Sequence, residues 1–391
     1  MKKLSIGLFG FGVVGEGIYK VLQKKSLNIE VKKIVIKDPS KKRNARTELF
    51  STDKNDILDD DSIDLVVELI DDDKAALEII CKSFEKGKSV ISANKKMIAE
   101  NHEFLIKKSQ ENKVSFLYEA AVCGSVPIIR NLEEYFDNDL LKSIKGIVNG
   151  STNFILSKMT NDNAPYHKVL KIAQESGFAE SNPTLDVEGI DAKYKLSIIT
   201  LHALGKRVKP KDIVCQGITS LHPFDFQYAN EKNRVIKLIA RCNPSENGEI
   251  ISLSVFPTFL KKDSPLASTH NEYNGVIVES SLADSQFFYG KGAGRYPTSS
   301  AVLSDISASL YDYKYTYKKG VSVRLPTYDC EAKFYISYQG NKFKLLLSLF
   351  ENIEEKFESR ERNYVVGNVK LKKLKDSPFL NQANYSIIQM D

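Results

Sequence analysis

The sequence predicts an α/β protein that begins with a doubly wound parallel sheet. Short apolar strands alternate with amphipathic helices up to about residue 118, a pattern typical of a parallel sheet covered by helices. A cluster of glycines follows the first strand, and the alternation gives way to a different pattern from about residue 133. The chain has 391 residues, a length that suits about two or three domains.

The elements of the first region follow from hydrophobic periodicity. Apolar or β-branched runs predict strands, and apolar residues that recur every three or four positions predict helices. The predicted strands are residues 4–9, 31–36, 64–70, 88–92 and 114–118. The predicted helices are residues 13–22, 75–86 and 100–112. We assign residues 1–132 to this first domain.

The remaining chain predicts a second α/β domain and a small tail. The second domain, residues 133–310, has predicted strands at 144–148, 250–255 and 274–280 and predicted helices at 166–176, 191–204 and 298–310. We expect the helix at 298–310 to pack back on the first domain. Residues 321–391 are predicted to form a separate α+β unit, with strands at 331–338, 364–371 and 385–389 and a helix at 345–357.

Composition excludes several classes of protein. The net charge of +6 comes from 56 basic and 50 acidic residues that are interspersed, which argues against nucleic acid as the main partner. The five cysteines show no C-x-x-C spacing, so we expect reduced thiols in the cytoplasm. No apolar stretch is long enough to cross a membrane. Glycines interrupt the apolar run after Met1-Lys2-Lys3, so we expect no secretory signal.

A dinucleotide-binding motif lies between the first predicted strand and the first predicted helix. It has the spacing G-x-G-x-x-G and reads Gly10-Phe11-Gly12-Val13-Val14-Gly15. The first glycine permits the tight turn, the second lets the backbone approach a pyrophosphate, and the third lets the helix pack close to the sheet. Backbone N–H groups at the helix start then face the phosphates. The motif therefore predicts a Rossmann-type domain that binds NAD or NADP, with a plain tight turn as the alternative.

The residues after the second predicted strand bear on the choice of cofactor. Asp38 suits a hydrogen bond to a ribose 2′-hydroxyl, whereas Lys37 and Arg43 suit a 2′-phosphate. The signals conflict, and the basic residues lead us to favour NADP slightly over NAD. The alternative interpretation is a solvated basic turn.

Two further segments follow the carboxyl ends of predicted strands, where ligands bind in open α/β sheets. The first, Ser92-Ala93-Asn94-Lys95-Lys96, offers a lysine for cofactor or substrate charge, and a solvated helix start is the alternative. The second begins at Glu119 and continues with small residues. Glu119 is a candidate helix-capping acid, cation ligand or substrate contact.

The segment 173–195 is the most informative. It places the carboxylates of Glu180, Asp186, Glu188 and Asp191, together with Lys195, around a loop shaped by glycine and proline. Asp191 and Lys195 are spaced i, i+4 and so share one helix face. An ordinary surface ion pair is the alternative for these two residues, but it does not explain the additional acids or the irregular loop before them.

These segments together resemble the homoserine dehydrogenase family. Residues 173–195 match the signature pattern of Ala, Gly, Asn-Pro, Asp, Gly, Asp and Lys, and residues 92–96, 119–129 and 149–156 resemble three other family segments. The resemblance extends over about residues 4–310. It implies the reversible reduction of L-aspartate 4-semialdehyde to L-homoserine with NAD(P)H, in threonine and methionine biosynthesis, by a homodimer.

The resemblance also implies roles for individual residues. Lys195 would donate the proton, with Asp186 orienting Lys195 or the substrate. The implied substrate ligands are Glu180, Asp191, Gly150 and Ser151. The implied cofactor contacts, besides the glycine motif, are Lys37, Arg43, Ser92, Lys95, Gly177 and Gly294. A structural monovalent cation such as sodium would be held by Glu119 and by the carbonyls of Val122, Gly124 and Val126.

Some positions depart from the family pattern. Ser151 stands where the family usually has threonine, which preserves the hydroxyl. Three acids, Asp71 to Asp73, stand near the expected path of the cofactor, where the family often has glycines. The tail partly resembles a small ACT-like regulatory fold, and threonine sensing, a dimer contact and a vestigial role all stay open for it.

Two other functions compete with this interpretation. One is a Rossmann-type dehydrogenase that acts on another amino-acid aldehyde or lactone. The other is a non-catalytic regulator that binds NAD(P). A regulator would tolerate the loss of Lys195 and its carboxylates, and all of them are present. Because the first strand of the cofactor domain begins at residue 4, we expect no kinase domain fused ahead of it.

Overall fold

The computed structural model describes residues 3–24, 28–138, 140–162, 164–245, 251–320, 322–323 and 326–391. Its strands are β1 Leu4–Phe9, β2 Ile29–Val35, β3 Phe50–Ser51, β4 Leu65–Glu68, β5 Ser89–Ser92, β6 Phe116–Leu117, β7 Leu141–Ile147, β8 Lys206–Arg207, β9 Val214–Cys215, β10 Arg234–Pro244, β11 Ile251–Lys261, β12 Tyr273–Ser280, β13 Ser285–Lys291, β14 Ser322–Val323, β15 Glu331–Tyr338, β16 Phe350–Phe357, β17 Asn363–Lys370 and β18 Tyr385–Met390.

The helices are α1 Val13–Lys24, α2 Asn55–Leu58, α3 Asp73–Glu85, α4 Lys95–Glu111, α5 Ile128–Glu134, α6 Gly150–Asp162, α7 Tyr166–Glu175, α8 Thr184–Val187, α9 Ile190–Leu204, α10 Pro223–Glu231, α11 Arg295–Ser309, α12 Phe343–Leu346 and α13 Leu371–Lys375. The chain divides into two compact units. Unit 1 contains Met1–Asp137, Leu201–Arg207 and Lys291–Val321, and unit 2 contains Asn138–Thr200, Val208–Gly290 and Ser322–Asp391.

Unit 1 is built on a parallel sheet with the order β3-β2-β1-β4-β5-β6 among its described residues. Strand β1 is buried along nearly its whole length, as expected for a parallel strand covered on both faces. The strand order reverses between β1 and β4, and this is the doubly wound order in which ligands bind at the reversal. The predicted Rossmann-type fold class is confirmed.

Helix α11 belongs to unit 1 although it lies far along the chain. It packs against α1, and the Ser299 hydroxyl donates to the Val14 carbonyl at 3.0 Å. The Arg295 guanidinium lies 3.1 Å from a carboxylate oxygen of Glu16. The sequence analysis places this helix in the second domain, packing back on the first. In the structure, residues 291–321 and 133–137 are grouped with unit 1.

Unit 2 contains a mixed sheet with the order β13-β12-β7-β10-β11-β18-β15-β17-β16, and β9 pairs beside β11. The sequence analysis located β7, part of β11, and β12. Strands β10 and β13 were not predicted. The predicted strand start at residue 250 lies outside the described residues. Strand β10 was not predicted because most of its residues are buried on both faces. Such burial removes the polar and apolar alternation that marks a half-buried strand.

The tail is joined to unit 2. Its elements follow the order β-α-β-β-α-β, and its strands lie in the order β18-β15-β17-β16 with antiparallel neighbours, the split βαβ arrangement. Strand β18 also pairs with β11, and Val214 and Phe256 share one apolar core with tail residues. The sequence analysis treats residues 321–391 as a separate unit. The structure groups residues 322–391 with unit 2 because sheet and core are continuous.

One predicted element of the tail is wrong. Residues 345–357 were predicted to form a helix, but the structure has α12, a 3₁₀ turn at Leu347–Leu349, and strand β16. Leucine, glutamate and lysine make up eight of its 13 residues, and all three favour helices intrinsically. Pairing with β17 overrides that preference and leaves β16 as an exposed edge strand. Charged side chains on an edge strand also discourage pairing with other chains.

Candidate active site

The three glycines of the motif in unit 1 differ in what a side chain at each position would meet. Gly10 has φ of +94°, and a Cβ on it would lie 2.9 Å from the Leu69 carbonyl oxygen. A Cβ on Gly15 would lie 2.7 Å from the Gly10 carbonyl oxygen. A Cβ on Gly12 would meet no atom within 4 Å. Gly10 and Gly15 are therefore required by the fold itself, whereas Gly12 faces the open space that a pyrophosphate needs.

The residues after β2 form a turn with internal contacts. The Asp38 carboxylate accepts hydrogen bonds from the backbone N–H and the hydroxyl of Ser40, at 2.9 and 2.6 Å. These bonds hold the pKa of Asp38 below its ordinary value. The Arg43 guanidinium donates to the Lys41 carbonyl and lies 5.9 Å from the centroid of the Phe50 ring. The predicted candidates for the ribose end of a cofactor therefore occupy one exposed turn.

Two of the three acids that follow β4 have structural partners. Asp72 is the N-cap of α3 and accepts the N–H groups of Lys74 and Ala75. Asp73 forms an ion pair with Lys96. A carboxylate at a helix N-terminus satisfies N–H groups that have no partner within the helix. At least two of the three acids thus serve the packing of α3 and α4.

Helix α4 begins earlier than the sequence predicts. Asn94 caps it by accepting the Met97 N–H at 3.0 Å, and Lys95 is its first residue. Ser92 is fully buried, and its hydroxyl donates to Glu68 at 2.6 Å. The Ser92 side chain is therefore engaged inside the protein, and a cofactor contact by this residue would be left to its backbone. Glu68 was missed by the sequence analysis, in which it was only an interior position of a predicted strand.

Glu119 acts as a helix cap. Its two carboxylate oxygens accept the backbone N–H groups of Ile129 and Arg130, both at 2.9 Å, at the start of α5. Its own N–H donates to the Asp305 carboxylate at 2.9 Å. Burial, together with the nearby Asp305, raises the pKa of Glu119 to about 8. Of the three roles left open by the sequence, capping is the one that these contacts show. Among the described residues there is no group of three or more His, Cys, Asp and Glu side chains that suits a metal ion.

Unit 2 gathers its candidate residues around the start of α9. Lys195 Nζ lies 2.7 Å from Asp191 Oδ2 and donates to the Val148 carbonyl at 2.7 Å. Asn149 Nδ2 donates to Asp186 Oδ1 at 2.7 Å and to Asp191 Oδ2 at 2.9 Å. We call Asn149, Asp186, Asp191 and Lys195 the acid cluster.

The acid cluster is partly buried and carries an excess of negative charge. Asp191 is 2% exposed and Lys195 is 8% exposed, so their attraction is screened less than that of a surface pair. The cluster holds two carboxylates against one ammonium. Asn149 keeps the carboxylates in place, and its Oδ1 accepts the Thr152 N–H at 2.9 Å, which ties the cluster to α6. Asn149 had no role assigned to it from the sequence.

The other predicted residues of unit 2 lie in the loop before α8 and at the start of α6. Glu180 is exposed, and its carbonyl accepts from the side chain of Gln174. Gly177 has φ of +75°, a conformation that favours glycine. Gly150 and Ser151 begin α6, directly after Asn149. Gly294 lies in unit 1, where it precedes α11.

Comparisons with known proteins place the chain in a family. Residues 127–307 match the family described as homoserine dehydrogenase, and residues 10–119 match the NAD binding domain of homoserine dehydrogenase. A homoserine dehydrogenase from Synechocystis is 39% identical over 313 residues, which cover 78% of this chain and 72% of that protein. The chain belongs to the homoserine dehydrogenase family.

Other relatives agree with this family assignment. The homoserine dehydrogenase of Bacillus subtilis is 36% identical over 79% of this chain and 73% of its own length. The crystal structure of a homoserine dehydrogenase from Thiobacillus denitrificans matches all of this chain and 99% of its own, with a TM-score of 0.87 and 27% identity. A hyperthermophilic archaeal homoserine dehydrogenase mutant in complex with NADPH matches 81% of this chain and all of its own, with a TM-score of 0.68 and 25% identity.

Proposed function

We propose that this chain catalyses the reversible reduction of L-aspartate 4-semialdehyde to L-homoserine with a nicotinamide cofactor. The observation that carries the proposal is the acid cluster, in which Lys195 lies 2.7 Å from Asp191 on one helix and Asn149 links Asp191 to Asp186. A non-catalytic regulator would have no need for a buried lysine held by two bonds, beside an excess of carboxylates.

The roles of the residues follow from the chemistry of aldehyde reduction. The bound cofactor supplies a hydride to the carbonyl carbon. The carbonyl oxygen gains negative charge, which the Lys195 ammonium stabilises before it gives that oxygen a proton. Asp191 holds the ammonium in place, with its Oδ2 atom 2.7 Å from Lys195 Nζ. Asp186 and Asp191 suit the substrate ammonium, because charge-assisted hydrogen bonds to carboxylates are strong. Glu180, Gly150 and Ser151 complete the proposed substrate site.

The direction of the reaction should set its pH dependence. Reduction needs Lys195 as an ammonium, whereas oxidation of homoserine needs it as a neutral amine that accepts the hydroxyl proton. We expect oxidation to have a more alkaline optimum than reduction. Rate profiles that coincide in both directions would contradict this assignment.

The cofactor site is proposed to lie at the glycine motif. The open space at Gly12 supports it, since no atom of the described residues lies within 4 Å of a Cβ placed there. Lys95, Gly177 and Gly294 are proposed as further contacts, and Lys37 and Arg43 lead us to favour NADP. Ser92 is proposed to contact the cofactor through its backbone, because its hydroxyl is bound to Glu68.

Three finer features of the family are proposed as well. Glu119, with the carbonyls of Val122, Gly124 and Val126, would hold a monovalent cation, for which carboxylate and carbonyl oxygens are suitable ligands. The protein would act as a homodimer in threonine and methionine biosynthesis. A reducing, cytoplasmic location is supported by the five cysteines, none of which forms a disulfide. None of the described helices is long and apolar enough to cross a membrane.

The deciding experiment follows absorbance at the band of the reduced nicotinamide. Purified protein is mixed with L-homoserine and either NAD or NADP at alkaline pH. A rise that depends on homoserine would support the proposal, and the ratio of the two rates would decide between the cofactors. No rise with either cofactor, from protein that is folded and binds NADPH, would favour another substrate or a regulatory role.

A further inference from the structure

Glu68 is a buried carboxylate to which the proposed reaction assigns no role. It is the last residue of β4 and is fully buried. It stands beside β1, at the point where the strand order of unit 1 reverses. In open α/β sheets the ligand crevice lies outside the strand ends at this point. Acids are almost never fully buried unless they are paired, so this position calls for an explanation.

Glu68 connects the ends of two neighbouring strands. Its Oε1 accepts the Ile70 N–H at 2.7 Å, and its Oε2 accepts the Ser92 hydroxyl at 2.6 Å. Ser92 Oγ accepts the Asn94 N–H at 3.1 Å. Asn94 Nδ2 in turn donates to the Ile70 carbonyl at 3.3 Å. We call Glu68, Ser92, Asn94 and the Ile70 backbone the Glu68 network.

The Glu68 network touches two parts of the proposed cofactor site. On one side, the backbone of Leu69 and Ile70 forms the wall against which the glycine motif turns, since a Cβ on Gly10 would lie 2.9 Å from the Leu69 carbonyl oxygen. On the other side, Asn94 caps α4, whose first residue is Lys95. A shift of either strand end would therefore move the glycine motif relative to Lys95.

We propose that Glu68 is a positioning residue for the nicotinamide cofactor. Through Ile70 it holds the wall beside Gly10, and through Ser92 and Asn94 it holds the start of α4. It acts through these groups and not by contact with the cofactor. The inference rests on the proposed function only in requiring that unit 1 binds a nicotinamide cofactor.

The test measures the Kd for NADPH in the absence of homoserine, and the fluorescence of the nucleotide reports its binding. Glu68→Leu keeps the bulk of the side chain but leaves the Ile70 N–H and the Ser92 hydroxyl without their acceptor. We expect its Kd for NADPH to rise by about tenfold or more, the size of effect that one or two unsatisfied buried donors cause. In turnover, KM for the cofactor should rise more than kcat falls at saturating cofactor.

Glu68→Gln is the conservative variant that should rescue binding. Its amide oxygen still accepts from Ile70, and its amide nitrogen donates to Ser92 Oγ once that hydroxyl turns away. We expect a Kd within about threefold of the wild-type value, because both contacts survive. A loss of binding as large as that of Glu68→Leu would overturn the proposal.

Glu133→Leu is the matched control within unit 1. Glu133 is also a buried glutamate with two partners, since its carboxylate lies 2.7 Å from His202 Nδ1 and accepts the Tyr317 N–H at 3.2 Å. Thermal melting should show destabilisation in both leucine variants, whereas NADPH binding should weaken only in Glu68→Leu. Equal weakening in Glu133→Leu would show a general loss of stability and would overturn the proposal.

Ser92→Ala is the variant to measure if Glu68→Leu does not fold. It removes one hydroxyl from the Glu68 network and should weaken NADPH binding by about threefold to tenfold. Combined with Glu68→Gln it should give a non-additive effect, because the residues share partners. An unchanged Kd in Ser92→Ala would overturn the proposal.

Wild-type protein that binds NADPH but does not oxidise homoserine would refute the proposed function alone, and protein that binds no nicotinamide cofactor would refute both.

Discussion

The glycine motif of unit 1 and the acid cluster of unit 2 are two candidate sites built in opposite ways. The glycine motif works by leaving side chains out, and at Gly12 a Cβ would meet no neighbouring atom. The acid cluster works by packing charged side chains together, with Asp191, Lys195 and Asn149 each within 2.9 Å of another member. Backbone N–H groups at a helix start suit the phosphates of a cofactor, whereas a fixed ammonium suits the charge that develops on a reacting oxygen.

The two sites should therefore control different measured quantities. A site made of backbone and empty space holds a ligand through shape, so changes there should appear in the Kd of the cofactor. A site made of held charges acts on the transition state, so changes there should appear in kcat. Four substitutions, described in decreasing order of expected effect, test whether the glycine motif controls Kd and the acid cluster controls kcat.

Lys195→Ala should have the largest effect. Loss of the proton donor should lower kcat for aldehyde reduction by about 10²–10⁴-fold, the usual contribution of general acid catalysis. The Kd for NADPH should stay within about threefold, since Lys195 belongs to unit 2 and the glycine motif to unit 1. Steady-state kinetics and fluorescence titration measure the two quantities. A variant that keeps most of its activity would remove Lys195 from its role.

Gly12→Val should show the opposite pattern. Its side chain enters the open space at the glycine motif, so NADPH binding should weaken by about tenfold or more. The melting temperature should barely change, because a Cβ at Gly12 meets no atom within 4 Å. Gly15→Val is the contrast, since its Cβ would lie 2.7 Å from the Gly10 carbonyl oxygen. It should lower both binding and melting temperature, and equal melting temperatures for the two variants would contradict the comparison.

Asn149→Ala tests whether the acid cluster acts as a unit. Asp186 and Asp191 would each lose a hydrogen bond, and bonds to charged groups contribute about 1.5–3 kcal/mol. We expect kcat/KM for homoserine to fall by about tenfold to a hundredfold, the equivalent of that loss. Asn153→Ala, in the same helix region but bonded to Lys237 and to the carbonyls of Thr269 and Tyr273, is the control and should affect stability without this loss. Equal losses of kcat/KM would show that the cluster has no special role.

Lys237→Met should have the smallest effect on activity. Lys237 is buried in unit 2 like Lys195, but its Nζ is bonded to neutral oxygens of Asn153, Ser157 and Thr269. Burial lowers its pKa to about 7. We expect kcat to stay within about twofold of the wild-type value, because burial alone does not give a lysine a catalytic role.

The same variant should change how stability depends on pH. The folded pKa of Lys237, about 7, lies below the value near 10.4 of an unfolded lysine. Between these pH values the unfolded chain binds more protons, so the contribution of Lys237 to the free energy of unfolding rises with pH and is smallest below about pH 7. Urea denaturation at several pH values should show the wild type gaining stability relative to Lys237→Met across this window. A difference that does not vary with pH would contradict the assignment.

Much of the architecture was predictable because it depends on local periodicity. Strand β1, helix α1 and helix α9 follow the positions of their apolar residues closely. The segment 345–357 was not predictable, because its helix-forming leucines and glutamates favour a helix and residues 350–357 become a strand only through pairing with β17. The start of α4 was placed too late, although its cap is local, since Asn94 accepts the N–H of Met97 only three residues later and asparagine is a preferred N-cap residue.

The alternation of strands and helices in unit 1, the glycine motif and the shared helix face of Asp191 and Lys195 could be predicted from the sequence alone, because each depends on residues close together along the chain. Only the tertiary structure decided the partners of buried polar groups. Glu68 meets Ser92 across 24 positions, and Asn149 meets Asp186 and Asp191 across 37 and 42. A buried polar group must find a partner wherever the fold brings one near, and spacing along the chain does not reveal which partner that is.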